Sequence, residues 1–239
     1  MYFADIHCHA LAGVDDGAPD DKTMYEMIDA AFRDGVRLLC FTPHWNPSVF
    51  GDNRASVSNA FAKASEYVVS KRIGMRLFLA NELRADRGDL SWLSERLCRT
   101  LHGRCVLVDF PTRESVKNIS DGVYRLLSAG YKPILAHAER YESLGFSVEP
   151  LKNLRADGAL IQMNAGSPLG SFGFMCALRA KAMLKERVAD IAASDAHDLS
   201  DRPTEMSAGY AFVEKKYGRE YAASLFCACP ESIFKNKGE

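Results

Sequence analysis

The chain has 239 residues, of which 47% are hydrophobic and 26% charged, with 30 basic side chains against 31 acidic ones. Such a chain folds around a substantial core, and its balanced charge excludes a polycationic nucleic-acid binder. No apolar run approaches the roughly 18 residues of a membrane-spanning helix and no basic-then-apolar secretion signal opens the chain, so a cytoplasmic protein is expected.

The first predicted element is a strand near 2–7, YFADIH, rich in aromatic and branched residues. Side chains alternate along a strand, so His7 and His9 share one face and Cys8 takes the other. From Met24, the residues Met24, Met27, Ile28, Ala31 and Phe32 fall on one helical face, and Gly35 stops that helix. The strand VRLLCFTPH follows. Helix, glycine, strand and polar loop recur at DGVYRLLSAG with YKPILAHAER, and at PLKNLRADG with ALIQMNAG. Strands are predicted near 2–7, 36–42, 75–81, 104–110, 132–137, 159–164 and 188–194. RLFLAN, CVLVDF, PILAH and DIAAS read as continuous apolar runs, as parallel strands covered on both faces do. No linker or low-complexity segment divides the chain, so a single domain over 1–239 is expected. The fold class is α/β, and seven βα units point to a barrel, with an open doubly wound sheet as the alternative.

The unusual polar residues gather at the predicted strand ends. His7 and His9 end the first strand, His44 follows the second, Glu82 the third, Asp109 the fourth, His137 the fifth, and Asp195 and His197 the seventh. In a βα barrel these ends converge on one mouth, where active sites are built. Five of the six histidines fall there. Imidazoles and carboxylates without thiolates suit manganese, iron or zinc in a multinuclear cluster, and eight or nine ligands are about right for two or three ions. Asp16 in VDDG is the ninth candidate, whereas Asp15 reads as a helix or turn group. Arg140 in HAERY and Arg202 in SDAHDLSDRP stand beside these ligands, and a guanidinium fork matches two phosphate oxygens. An oxyanion substrate is therefore expected.

The seven cysteines, Cys8, Cys40, Cys98, Cys105, Cys176, Cys227 and Cys229, are odd in number and include no C-x-x-C pair. That argues against a disulfide framework and a structural zinc site. Cys98 to Arg104, CRTLHGR, matches the C-x5-R string of cysteine-dependent phosphatases, but it follows the helical run LSWLSERL and precedes the strand CVLVDF. The cysteine loop needs a helix after it, with amides aimed at phosphate, so the polarity is reversed. His102 reads as a surface loop residue.

In this order and spacing, DIHCH, VDDG, FTPH, NEL, VDF, AHAERY, SDAHDL and DRP resemble the PHP (polymerase and histidinol phosphatase) superfamily, and most closely its CpsB/CapC-type bacterial capsule and exopolysaccharide tyrosine phosphatases. The resemblance runs on through KYG and ACPESI, nearly the whole chain. It implies a distorted (β/α)7 barrel of the PHP type, with two or three divalent ions, manganese first, at the C-terminal ends of the strands. The implied reaction removes phosphate from a tyrosine-rich segment of a bacterial tyrosine kinase that controls capsule or exopolysaccharide synthesis. The first metal would take His7, His9, Glu82 and Asp195. Glu82 would bridge to a second metal held by Asp109 and His137, and a third would take Asp16, His44 and His197. Arg140 and Arg202 would bind phosphate and act in catalysis with Asp195. Two departures stand out: Asp109 replaces a glutamate, one methylene longer, and WNPSVF replaces a basic stretch after His44. Trp45 and Phe50 could stack on a tyrosyl ring or pack the loop. Rival activities are a phosphomonoesterase for small esters such as histidinol phosphate and a metal-dependent exonuclease.

Overall fold

The computed structural model describes residues 2–86 and 90–235. In chain order the strands are β1 (Phe3–Cys8), β2 (Val36–Phe41), β3 (His44–Trp45), β4 (Arg76–Leu79), β5 (Glu82–Arg84), β6 (Cys105–Asp109), β7 (Lys132–Leu135), β8 (Leu160–Asn164) and β9 (Ile191–Ala193). Helices α1 (Asp21–Arg33), α2 (Pro47–Phe50), α3 (Arg54–Ser70), α4 (Ser91–Ser94), α5 (Val116–Ser128), α6 (Glu149–Ala156), α7 (Phe174–Lys185) and α8 (Met206–Tyr217) alternate with them, and short helical turns complete the described chain. All strand pairings are parallel. They form two sheets, ordered β1-β2-β4 and β3-β5-β6-β7-β8-β9.

The expected strands all appear, with two interruptions. Pro43, which has no amide to donate, separates β2 from β3, and a kink at Ala80 and Asn81 separates β4 from β5. Asn81 serves the kink by donating its side-chain amide to the Pro43 carbonyl at 2.9 Å. His44 and Glu82 thereby become the first residues of two short strands that pair with each other, rather than residues that merely follow long ones. Just past the end of β9, Ala196 bridges Cys8 at the end of β1, with the Asp195 amide donating to the His7 carbonyl at 2.8 Å and the His9 amide to the Ala196 carbonyl at 2.9 Å.

The helices form for local reasons. Asp20 caps α1 by accepting from the Thr23 amide at 2.8 Å, and Ser115 caps α5 by accepting from the Asn118 amide at 3.1 Å. Met24, Met27, Ile28 and Ala31 are buried as the periodicity requires. The run around Leu90 to Leu97 departs from expectation: α4 is one turn, because Arg96 turns into the left-handed region (φ 58°) and ends it. All seven cysteines are free, and Cys8, Cys40 and Cys98 are buried. Among the described residues no helix is long and apolar enough to cross a membrane.

Two apolar clusters hold the elements together. The larger lies between strands and helices, and the smaller joins Cys40, Leu107, Ile134, Ile191 and Ala193. Leu107 lies two residues before Asp109 on β6, so the smaller cluster shares that strand face with a polar end and supports it. Helix α8 seats closely on the end of β8: a Cβ at Gly209 would lie 2.4 Å from the Ala165 carbonyl oxygen. Gly209→Ala is therefore expected to destabilise the fold by roughly 1–3 kcal/mol in thermal or urea melts, despite the better helix propensity of alanine.

Candidate metal centre

Several strand ends deliver side chains to one cleft of about 340 Å³, with His44, Glu82, Asp109, His137, Asp195 and His197 in its lining. The nine candidate ligands fall into four overlapping groups: His9, Asp16, His44 and His197; His7, His9 and Asp195; His7, Glu82 and His137; and His44, Glu82 and Asp109. Glu82 is central. Its carboxylate oxygens lie 3.4 Å from His7 Nε2, 3.3 Å from His9 Nε2, 3.0 Å from His44 Nδ1 and 3.0 Å from His137 Nε2. Asp16 reaches His44 Nε2 at 3.3 Å and His197 Nε2 at 3.5 Å. Asp109, despite its shorter side chain, comes within 3.7 Å of His137 Nε2 and also pairs with Arg84 at 3.1 Å.

This donor set fits cations. His7 Nε2 and His9 Nε2 face each other at 3.1 Å, an approach of two ring nitrogens that a shared cation makes favourable. Glu82 Oε2, His137 Nδ1 and His197 Nε2 are buried without a hydrogen-bond partner among the described residues. Burial opposes charge on His9, but Asp15 and Glu82 raise its pKa to about 9. Burial likewise opposes ionisation of Glu82, and the imidazoles of His7 and His44 outweigh it, holding that carboxyl well below its usual range. The cluster attracts positive charge and keeps its acceptors ionised.

The supporting hydrogen bonds fix which nitrogen of the His7 and His9 rings is free. Gln162 Oε1 accepts from the His137 backbone amide at 2.8 Å, so the same oxygen must accept from His7 Nδ1 at 3.1 Å. His7 Nε2 is then the free nitrogen. The Gln162 amide donates to Asn164 Oδ1 at 2.9 Å, and Asn164 donates to Asp195 Oδ2 at 2.8 Å. Asp15 accepts from His9 Nδ1 at 2.8 Å and from the His44 amide at 3.0 Å. Its other oxygen holds the expected turn by accepting from Gly17. A side chain at Gly17 would collide with the His9 carbonyl, so VDDG needs glycine there. His137 (φ 32°) and Asp195 (φ 53°) both sit in the left-handed region, strain of the kind kept at functional strand ends.

Arg140 and Arg202 converge on Asp195 Oδ2 at 3.1 and 2.7 Å. Sequence reasoning left β8 without a site residue, although Gln162 and Asn164 are alternate polar residues in a buried strand and so signal a polar face. It also missed Arg84, two positions beyond Glu82 on the same strand face, and Tyr141, whose hydroxyl accepts from the Phe110 amide and donates to Asp109 at 3.4 Å. Trp45 is buried against Trp92 and so packs the loop, whereas Phe50 lies parallel to the His44 ring at 5.6 Å.

A family model for capsular polysaccharide synthesis, CpsB/CapC, matches residues 3–235. The chain belongs to the CpsB/CapC family. Tyrosine-protein phosphatase YwqE of Bacillus subtilis is 30% identical over 217 residues, 90% of this chain and 85% of that one. Tyrosine-protein phosphatase CpsB of Streptococcus pneumoniae is 29% identical, covering 98% of both chains. A solved structure described as YwqE and CpsB, metal-dependent tyrosine phosphatases, superposes with a TM-score of 0.87 at 29% identity, covering 96% of this chain and 93% of that one.

The cysteine-phosphatase string has no comparable site. Cys98 is buried, which pushes its thiol well above the ordinary value, and Arg104 is spent on the Ala129 and Gly130 carbonyls. His102 is exposed on a turn, away from the cluster. Cys98→Ser is expected to retain phosphatase activity, and iodoacetamide at neutral pH to leave the enzyme uninhibited. Gln162→Leu should weaken metal retention by about 10–100-fold, read as metal content after dialysis against dilute chelator.

Proposed function

We propose that this CpsB/CapC protein is a metal-dependent phosphatase that hydrolyses phosphotyrosine in polypeptides. The carrying observation is one buried carboxylate, Glu82, within 3.4 Å of four imidazoles, in a cleft that also receives the Arg140 and Arg202 guanidiniums. Similarity to YwqE and CpsB supports the reaction class.

His7, His9, Glu82 and Asp195 are assigned to one cation, Asp109 and His137 with a shared Glu82 to a second, and Asp16, His44 and His197 to a third. His9 also lies in the group of Asp16, His44 and His197, consistent with closely spaced ions. Divalent cations held there would supply Lewis acidity toward water and the phosphoryl oxygens. Arg140 and Arg202 bind the non-bridging oxygens and offset charge as it develops on them. Asp195 Oδ2 accepts from Arg140, Arg202 and Asn164, so it orients both guanidiniums while Oδ1 faces His7 at 3.3 Å. A tyrosyl leaving group, with an ordinary pKa near 10, departs with less help from a proton donor than an alkoxide needs.

The finer reading has a single domain whose strands close into a distorted barrel, supported by the isolated bridge from Cys8, at the end of β1, to Ala196, just past the end of β9. It has manganese as the metal, a cytoplasmic location, and a tyrosine-rich segment of a capsule-controlling kinase as substrate.

The test pairs metal analysis of the purified protein with hydrolysis of a phosphotyrosyl peptide before chelation, after chelation, and after return of manganese, iron or zinc. Chelation and His137→Ala should each lower kcat/KM by about a hundredfold or more, and metal should restore the chelated enzyme. Full activity in either state overturns the metal mechanism. Preference for histidinol phosphate or for DNA ends over the peptide overturns the substrate assignment.

A further inference from the structure

One aromatic side chain, Phe172, lies beside both arginines of the cleft. Phe172 stands on the loop between β8 and α7, half-buried, with Gly170 (φ 106°) and Gly173 (φ 87°) on either side. These glycines shape the loop: the Gly170 amide donates to the Ser167 carbonyl at 3.1 Å and the Gly173 amide to the Gly170 carbonyl at 2.9 Å. The Arg140 guanidinium carbon lies 5.6 Å from the centroid of the Phe172 ring, and that of Arg202 lies 5.8 Å from it. Two cations from separate loops therefore share one ring as well as one carboxylate oxygen.

Asp195 Oδ2 alone would leave these guanidiniums under-determined. A single oxygen fixes neither plane, and the two like charges repel. Arg202 Nε is buried without a hydrogen-bond partner among the described residues, so hydrogen bonds do not fix that plane either. The negative face of an aromatic ring attracts both cations while leaving their N–H edges uncommitted. An aliphatic side chain of similar size would fill the space and supply no such attraction.

We propose that Phe172 is a positioning residue for the phosphate-binding arginines, its ring and Asp195 together holding Arg140 and Arg202 with free N–H groups toward the substrate phosphate. This rests on the reading of Arg140 and Arg202 as phosphate ligands.

The test measures binding of inorganic phosphate to the metal-loaded protein by calorimetry, with metal content and melting temperature alongside. Four variants are compared: Phe172→Leu, Phe172→Tyr, Arg140→Ala and Arg202→Ala. Phe172→Leu should weaken phosphate binding about tenfold at unchanged metal content, a loss within the range of two cation–π contacts, and Phe172→Tyr should stay near the parent. Phe172→Leu should also raise KM for a phosphotyrosyl peptide. Unchanged phosphate binding in Phe172→Leu, or an equal loss in Phe172→Leu and Phe172→Tyr, overturns the role. If Arg140→Ala and Arg202→Ala bind phosphate as the parent does, the underlying arginine assignment falls instead.

Discussion

The structure depends on keeping the Glu82 carboxylate ionised although it is almost wholly buried. Removing a carboxylate from water costs several kcal/mol unless positive charge or donors replace the solvent. Four imidazoles surround Glu82, and it is 1% exposed. Much of the surrounding architecture serves that arrangement. The kink at Ala80 and Asn81 starts a new strand at Glu82, the interruption at Pro43 starts another at His44, and the pairing of those strands sets the two residues side by side.

A cluster so dense in titratable groups needs a rigid surround, because an imidazole turned about its own axis presents the wrong nitrogen. β8 supplies part of it. Gln162 and Asn164 form a one-directional chain of hydrogen bonds linking His7, His137 and Asp195. Asp15 does the same for His9 from the opposite side. The polarity of these bonds follows from a backbone amide that can only donate, so the orientations of the His7 and His9 rings are settled without reference to any bound ion.

The mouth of the cleft has a different character. Arg84, Arg140 and Arg202 are each partly exposed there, every one paired to a carboxylate deeper in the site. Negative charge at the bottom and positive charge at the rim create a gradient suited to an anionic ester. Phe50 beside His44 and Phe172 beside the arginines add apolar surface near that rim. The pair Arg84–Asp109 occupies the position where the family resemblance leads one to expect a longer acid, and the shorter carboxylate still reaches His137.

The sequence by itself determined the alternation of strands and helices and the identity of the nine candidate ligands, because apolar periodicity and rare polar residues at strand ends are local signals. It also made the C-x5-R string a poor candidate, since the order of helix and strand around it can be read along the chain. Only the tertiary structure decided the pairing of His44 with Glu82, the Asn81 contact with Pro43, the central place of Glu82, the hydrogen-bond chain through Gln162 and Asn164, and the convergence of two arginines on Phe172. Each of those joins residues distant in sequence, Phe172 and Arg202 or Gln162 and His7 for instance. Their partners are fixed by how strands from opposite ends of the chain come side by side, which no local pattern encodes.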